Sequence, residues 1–217
     1  TIIFNGEIYN LSELKKKIYS KGLKLKTNSD TEVILKMYII FGTECVKYFD
    51  GMWAFAIYDN SKGFTFISRD RIGEKPLYFF RKKNEFYFSS QTIFLRELAE
   101  SYNIINSKKI YAYLKYGYKT IEQTNESFFK DIFKLEAGMN IIINKNLDIK
   151  YKRYWKPSFS DKKLNESQCS KLIKENFNEK IKQICNSNLK IGLSLSGGID
   201  SNFLLSFFVK NINKNIH

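Results

Sequence analysis

Near the C-terminal end of the chain an apolar run, Ile191 to Leu195, meets a Ser196-Gly197-Gly198 bend, and a second apolar run, Ile199 to Val209, follows at once. Strand, glycine turn and helix in that order form the most constraining pattern in the sequence. N–H groups in such a turn and at the helix start point outward and favour an anion, as a nucleotide phosphate requires. Gly197 and Gly198 can take positive φ and leave room for a ligand to approach closely. Ser196 and Ser201 add hydroxyl donors. Asp200 stands in the first helical turn, where a carboxylate is favourable and can also hold Mg2+. A glycine turn in any α/β domain gives similar letters without a ligand. The strand before, Asp-Ser after and the helix beyond favour the nucleotide.

Composition narrows the class. Hydrophobic residues make up 43% and aromatics 16% of 217 residues, enough to bury cores in one or two domains. No apolar run approaches the length of a membrane span and no secretory signal is visible, so a cytoplasmic protein without a membrane partner is expected. Cys45, Cys169 and Cys185 have no metal-site spacing and read as reduced thiols filling small apolar gaps. The net charge of +14 raises nucleic acid as a partner, but only five of the positive residues are Arg (69, 71, 81, 96 and 153). Lys, Asn and Ile are abundant throughout, which fits a compositional bias better than a phosphate-gripping face, so no nucleic-acid partner is expected. His217 is the sole histidine and ends the chain, which excludes a Ser-His-Asp or Cys-His arrangement within it. The first residue is Thr1, and one strand plus one helix after the linker cannot bury a doubly wound sheet, so the chain reads as a piece of a longer protein.

Hydrophobic period and turn signals predict the element order. Thr1 to Phe4 is a strand leading into Asn5-Gly6-Glu7. Ser12 is expected to cap a helix with Leu11, Leu14 and Ile18 on one face, ending at Gly22. Ser29 or Asp30 caps a second helix burying Val33, Ile34, Met37 and Tyr38, and a short helix covers Thr43 to Phe49. Strands follow at Met52 to Asp59, Phe64 to Arg69, Leu77 to Arg81 and Glu85 to Ser89. A helix runs from near Ser107 to Tyr118. Met139 to Ile143 and Leu147 to Tyr154 form a last hairpin. Residues 156–166 are a polar linker containing Pro157. From Ser167 a helix presents Ile173, Phe177, Ile181 and Ile184 at helical spacing.

Asn5-Gly6-Glu7 after a buried strand offers a side-chain amide next to a glycine N–H, which together can form an oxyanion hole. Glu7 and Asp30 are carboxylates able to hold an ammonium group. Taken from spacing alone, Asn-Gly also reads as a turn and Asp30 as a helix cap. Arg69, Asp70, Arg71 and Lys75 read as a charged network fixing a tight loop around Pro76.

The bend resembles the SGGxDS signature of PP-loop ATP pyrophosphatases. Four further segments, Phe4 to Asn10, Ser29 to Ile34, Gly51 to Asp59 and Arg69 to Tyr78, resemble glutamine-hydrolysing asparagine synthetases, in the same order. That resemblance implies a class II glutamine amidotransferase domain over residues 1–155, an N-terminal-nucleophile hydrolase with an αββα sandwich. After the linker at 156–166 it implies the beginning of a Rossmann-like PP-loop domain over 167–217. It implies that Asn5 and Gly6 form the glutaminase oxyanion hole, and that Gly6, Glu7 and Asp30 bind glutamine. Leu195, Ser196, Gly197, Gly198, Asp200 and Ser201 would bind ATP, with Mg2+ at Asp200. The nucleophilic cysteine and the arginine for the glutamine carboxylate would precede Thr1. The implied reaction is amidation of aspartate to asparagine through a β-aspartyl-AMP intermediate, with ammonia from glutamine and a possible homodimer. Related chains close β-lactam rings, cyclise peptides or amidate sugars on the same plan, and a PP-loop enzyme modifying transfer RNA or a decayed scaffold are further alternatives. Glu74 replaces an apolar residue, and Gln91 a glutamate, of the family pattern.

Overall fold

The computed structural model describes residues 1–99, 104–117, 124–159, 161, 163–185 and 192–211, in two compact units, Thr1–Pro157 and Ser158–His217. In chain order the first unit holds β1 (Ile2–Ile8), α1 (Leu11–Ser20), α2 (Asp30–Phe41), a 3-10 helix (Gly42–Tyr48), β2 (Gly51–Asp59), β3 (Phe64–Arg69), β4 (Tyr78–Lys82) and β5 (Glu85–Ser89). It continues with α3 (Thr92–Arg96), α4 (Ser107–Tyr116), β6 (Phe133–Lys134), β7 (Met139–Asn144) and β8 (Ile149–Arg153). All strand pairs are antiparallel. One sheet runs β1-β2-β3-β7-β8 and the other β5-β4-β6.

Three apolar layers stack these elements. Alternation along β2 sends Trp53, Phe55 and Ile57 to one face, where they meet Leu14 and Ile18 of α1 and Val33, Ile34 and Met37 of α2. Ala54 and Ala56 point the other way, with Ile67, Ile141 and Ile143, onto Phe79, Phe86, Phe88 and Phe133 of the smaller sheet. The outer face of that sheet carries Phe80, Tyr78 and Tyr87 against Leu95 and Ala99. Helix, sheet, sheet, helix is therefore the layer order of residues 1–157, an αββα sandwich as expected. A strand buried on both faces must be apolar at every position, and Met52 to Ile57 is.

Several local expectations change. Asn5-Gly6 is no turn; β1 runs through it to Ile8. Helix α1 begins at Leu11 with Asn10 as its N-cap residue, so Ser12 lies inside the helix. The Asn10 side chain instead ties the start of α1 to β2, accepting from Asp50 N–H (3.0 Å) and donating to Tyr48 O (2.9 Å). Ser29, not Asp30, caps α2, accepting from Thr31 N–H at 3.1 Å. The short α3 and β6 carried no period to announce them; α3 packs on β4 and β5, and β6 pairs with the sequence-distant β4. Tyr118, the expected end of α4, lies outside the described residues.

The second unit pairs α5 (Glu166–Cys185) with α6 (Ile199–Asn211). Phe177 packs against Phe203 and Phe207 with ring centroids 5.0 and 5.5 Å apart, over buried Ile181 and Phe208. Ile173 and Ile184 of the expected stripe stay exposed; the side of α5 that packs on α6 is that of Phe177, Ile181 and Cys185. The expected strand from Ile191 to Leu195 is absent over 192–195; Ile191 lies outside the described residues. A strand exists by pairing, and among the described residues of this unit there is no second strand. A Rossmann-like sheet is accordingly not formed by these residues.

Candidate functional site

β1 is an edge strand, and its register on β2 decides where its amides point. Thr1 and Tyr58 exchange both backbone bonds, N–H of Tyr58 to Thr1 O (2.9 Å) and the reverse (3.1 Å). Bonded and non-bonded pairs alternate from there. Through the pairings Ile2–Ile57 to Ile8–Gly51, Gly6–Trp53 falls on a non-bonded position. Trp53 confirms this phase, since both its backbone groups turn to Asp70: Asp70 N–H donates to Trp53 O (2.9 Å) and Trp53 N–H to Asp70 Oδ2 (3.3 Å). The Gly6 N–H consequently points to the open edge of the sheet. Ile8 N–H, two residues on, points the same way and is taken by Asp30 Oδ2 at 2.8 Å.

The glycine is obligatory here. A Cβ on Gly6 would lie 2.1 Å from Met52 O, and one on Gly51 2.2 Å from Glu7 O. The two bare Cα positions let β1 close on β2 just where Asn5, Gly6 and Glu7 cross it.

Asn5 and Glu7 share the face of β1 turned toward the smaller sheet, by the period of two. Asn5 lines a cleft of about 280 Å3 there, walled by Phe4, Ala54, Ala56, Pro76, Leu77, Phe88, Ser89 and Ser90. The small side chains of Ala54 and Ala56 leave that volume open. Beside it, Tyr9 lies among carboxylates: burial first, then Glu74, Glu7, Asp50 and Asp70, hold its phenol above the usual range. The Glu74 carboxyl is itself pushed up by burial and then by Asp70. Among the described residues no three His, Cys, Asp or Glu side chains cluster to hold a metal ion.

The 69–77 loop that forms one wall is fixed by charge acting on backbone. Asp70 accepts from Ile72 (3.2 Å), Glu74 (2.9 Å) and Lys75 (3.0 Å) N–H groups as well as Trp53. Arg69 donates to Lys75 O at 2.6 Å and to Leu135 O and Gly73 O, and Arg71 to Phe49 O at 2.7 Å. The expected network is thus real, but its bonds run from charge to peptide groups.

Asn5, Gly6 and Glu7 lie on the edge strand β1, and Asp30, the first residue of α2, reaches that strand through its bond from Ile8 N–H. Ser89 and Ser90 were missed in the sequence, where nothing distinguishes them from ordinary strand-end and loop residues; Tyr9 lies within the Phe4 to Asn10 segment but drew no role there. Cys45 is buried, and burial pushes its thiol up to about 12, so it is a core side chain. Cys169 and Cys185 are only half-buried.

Leu195, Ser196, Gly197, Gly198, Asp200 and Ser201 lie in the second unit. Gly197 has φ 79° with nothing within 4 Å of a would-be Cβ. Ser196 Oγ and Ser201 Oγ are 3.3 Å apart, and Ser201 donates to Gly198 O at 3.0 Å. Asn202, in the first turn of α6, donates through Nδ2 to the carbonyls of Gly197 (3.2 Å) and Gly198 (3.1 Å). Leu195 and Asp200 are exposed.

Residues 1–155 match the family model described as a glutamine amidotransferase domain, and the chain belongs to that family. That match identifies residues 1–155 as a glutamine amidotransferase domain. Over 92% of its length the chain is 40% identical to a Methanocaldococcus jannaschii protein whose name places it among the glutamine-hydrolysing asparagine synthetases, covering 38% of that protein. It is 32% identical to asparagine synthetase (glutamine-hydrolysing) 1 of Bacillus subtilis, over 94% of this chain and 32% of the relative. These shares exceed what residues 1–155 can supply, so the likeness runs into the second unit. The chain spans about a third of the length of these relatives. Among solved structures, Bacillus subtilis glutamine phosphoribosylpyrophosphate amidotransferase superposes with a TM-score of 0.48 at 16% identity, over all of this chain and 44% of that one. That superposition is too loose to bear on the assignment, which rests on sequence. Among the described residues no helix is long and apolar enough to cross a membrane.

Proposed function

We propose that the protein to which this chain belongs is a glutamine-hydrolysing asparagine synthetase, and that residues 1–157 perform its amide-donor half. The observation that carries this reading is the outward Gly6 N–H beside Asn5, at the mouth of a cleft between the sheets. Hydrolysis of an amide places negative charge on its carbonyl oxygen, and two donors fixed beforehand stabilise that charge at no cost of reorganisation. Asp30 is anchored by Ile8 N–H at the same edge, and Glu7 projects beside Asn5; together they suit the α-ammonium of glutamine. Cys45 is buried with its thiol pushed up to about 12, so it is not the attacking group, and the resemblance puts the nucleophilic cysteine before Thr1.

The second unit fits the start of the ATP site. Gly197 in the left-handed region and the open space around it allow a phosphate to approach the backbone, with Ser196 and Ser201 at hand. A Mg2+ ion held largely by phosphates needs only one or two protein carboxylates, and Asp200 can be one. ATP supplies the leaving group that makes the aspartate carboxylate reactive, as β-aspartyl-AMP. Residues 196–201 bind and orient it.

The complete protein, given glutamine, aspartate and ATP, should form glutamate, asparagine and AMP. Asn5→Ala should lower glutamine-dependent kcat by about 100- to 1,000-fold while leaving ammonia-dependent asparagine formation intact. Equal loss with both nitrogen sources, or no asparagine from folded protein, overturns the reading.

A further inference from the structure

Asp70 stands one residue past the end of β3, where the chain leaves the larger sheet. Its N–H continues the ladder, donating to Trp53 O at 2.9 Å. Its carbonyl does not, because it is turned aside to accept from Gly73 N–H (3.3 Å) and Gly138 N–H (2.8 Å). The carboxylate takes its place and accepts the Trp53 N–H at 3.3 Å. A side chain thus stands in for backbone in the rung that holds Trp53, and Trp53 is the residue opposite Gly6 on β2.

Both oxygens of that carboxylate are fully used. Oδ2 accepts from Trp53 and Lys75 N–H groups, and Oδ1 from those of Ile72 and Glu74. A carboxylate has acceptor sites for all four, whereas an amide would turn its own N–H groups toward some of them. Asp70 and Trp53 are both completely buried, so a released Trp53 N–H would find no water.

Two parts of the Asn5 cleft depend on this group. At Gly6, β1 lies against β2 without slack, since a Cβ there would meet Met52 O at 2.1 Å and Trp53 Cα at 2.8 Å. The outward Gly6 N–H must therefore follow any displacement of Trp53. Residues 72–75 lead into Pro76 and Leu77, which wall the cleft. Asp70 itself does not line it.

We propose that Asp70 is a positioning residue for amide hydrolysis, fixing the Gly6 N–H relative to the Pro76–Leu77 wall through Trp53 and residues 72–75. The inference rests on the glutaminase reading of the first unit. Misplacing a reacting geometry by about 1 Å costs about 100-fold in rate. An anchor that only stabilised the loop would change stability and leave each folded molecule as active as before.

The test uses the complete protein with glutamine and with its γ-aldehyde analogue. The cysteine thiol adds to the aldehyde carbon, forming the S–C bond and opening the C=O double bond. The thiol proton passes to the oxygen, which occupies the oxyanion position. The Ki for the aldehyde and the KM for glutamine do not depend on how much of the enzyme is folded. Asp70→Asn should raise that Ki about 100-fold and change KM by less than about threefold, because the donors act mainly on the tetrahedral state. A Ki that is unchanged, or that rises no more than KM, overturns the proposal. Should Asp70→Asn not fold, Asp70→Glu carries the same comparison. It keeps a carboxylate but moves it by one methylene, and should raise Ki at least about 10-fold. The parental Ki in that variant also overturns the proposal. A parent protein that neither hydrolyses glutamine nor binds the aldehyde overturns the glutaminase reading itself, and this inference with it.

Discussion

Gly6 is the residue at which the fold and the proposed chemistry meet. Its missing side chain lets β1 approach β2, and the same position turns an amide to the open edge. Gly6→Ala should therefore damage both, costing on the order of 3 kcal/mol by displacing β1 against Met52 O. A urea denaturation midpoint well below that of the parent is the expected reading. Asp70 is the second pivot. Its carboxylate satisfies four backbone N–H groups and thereby sets the turn before Pro76. Asp70→Asn would point an amide donor at donors, and a loss of about 2–3 kcal/mol in the same denaturation experiment is expected.

At the scale of elements, the β2–β3 hairpin shows how a turn becomes sensitive to pH. Asp59 closes it by accepting from Ser61 Oγ (2.6 Å), Tyr38 OH (2.8 Å) and the Ser61 and Lys62 N–H groups (both 3.1 Å). The Ser61 hydroxyl first, then that of Tyr38, hold the Asp59 carboxyl well below the usual carboxylate range. A carboxyl depressed in the folded state stabilises it fully above its unfolded value of about 4, and that contribution fades as pH falls through the folded value. Melting temperature should decline below about pH 4. The decline should be shallower in Asp59→Asn, and equal slopes for the two proteins would contradict this origin. Tyr38 reaches from α2 to this turn, so the hairpin and the helix layer are locked by one bond.

For the whole molecule, two compact units imply two separable stabilities. The boundary follows Pro157, and Phe159 beyond it is 94% exposed. Brief chymotrypsin treatment should cut after Phe159 first, leaving a resistant product that carries residues 1–157. Phe207→Ala should accelerate hydrogen exchange in α5 and α6, whose shared core is small, and leave exchange in β2 and β3 unchanged. Faster exchange in β2 would show the two units to be cooperative.

The apolar period of Val33, Ile34 and Met37, the both-faced run from Met52 to Ile57 and the turn at 60–63 were enough to place most of the first unit, because burial imposes its period on local sequence. Motif letters singled out Asn5, Gly6, Glu7 and Asp30 as candidates. What the letters left open was whether Asn-Gly turns or continues a strand. That depended on β2 arriving alongside with a glycine of its own at position 51. At 192–195 the reverse held: strand-like letters made no strand, because pairing partners, and not propensity, create one. Sequence determined which faces are apolar; only the packed chain decided which amides and charges look out from them.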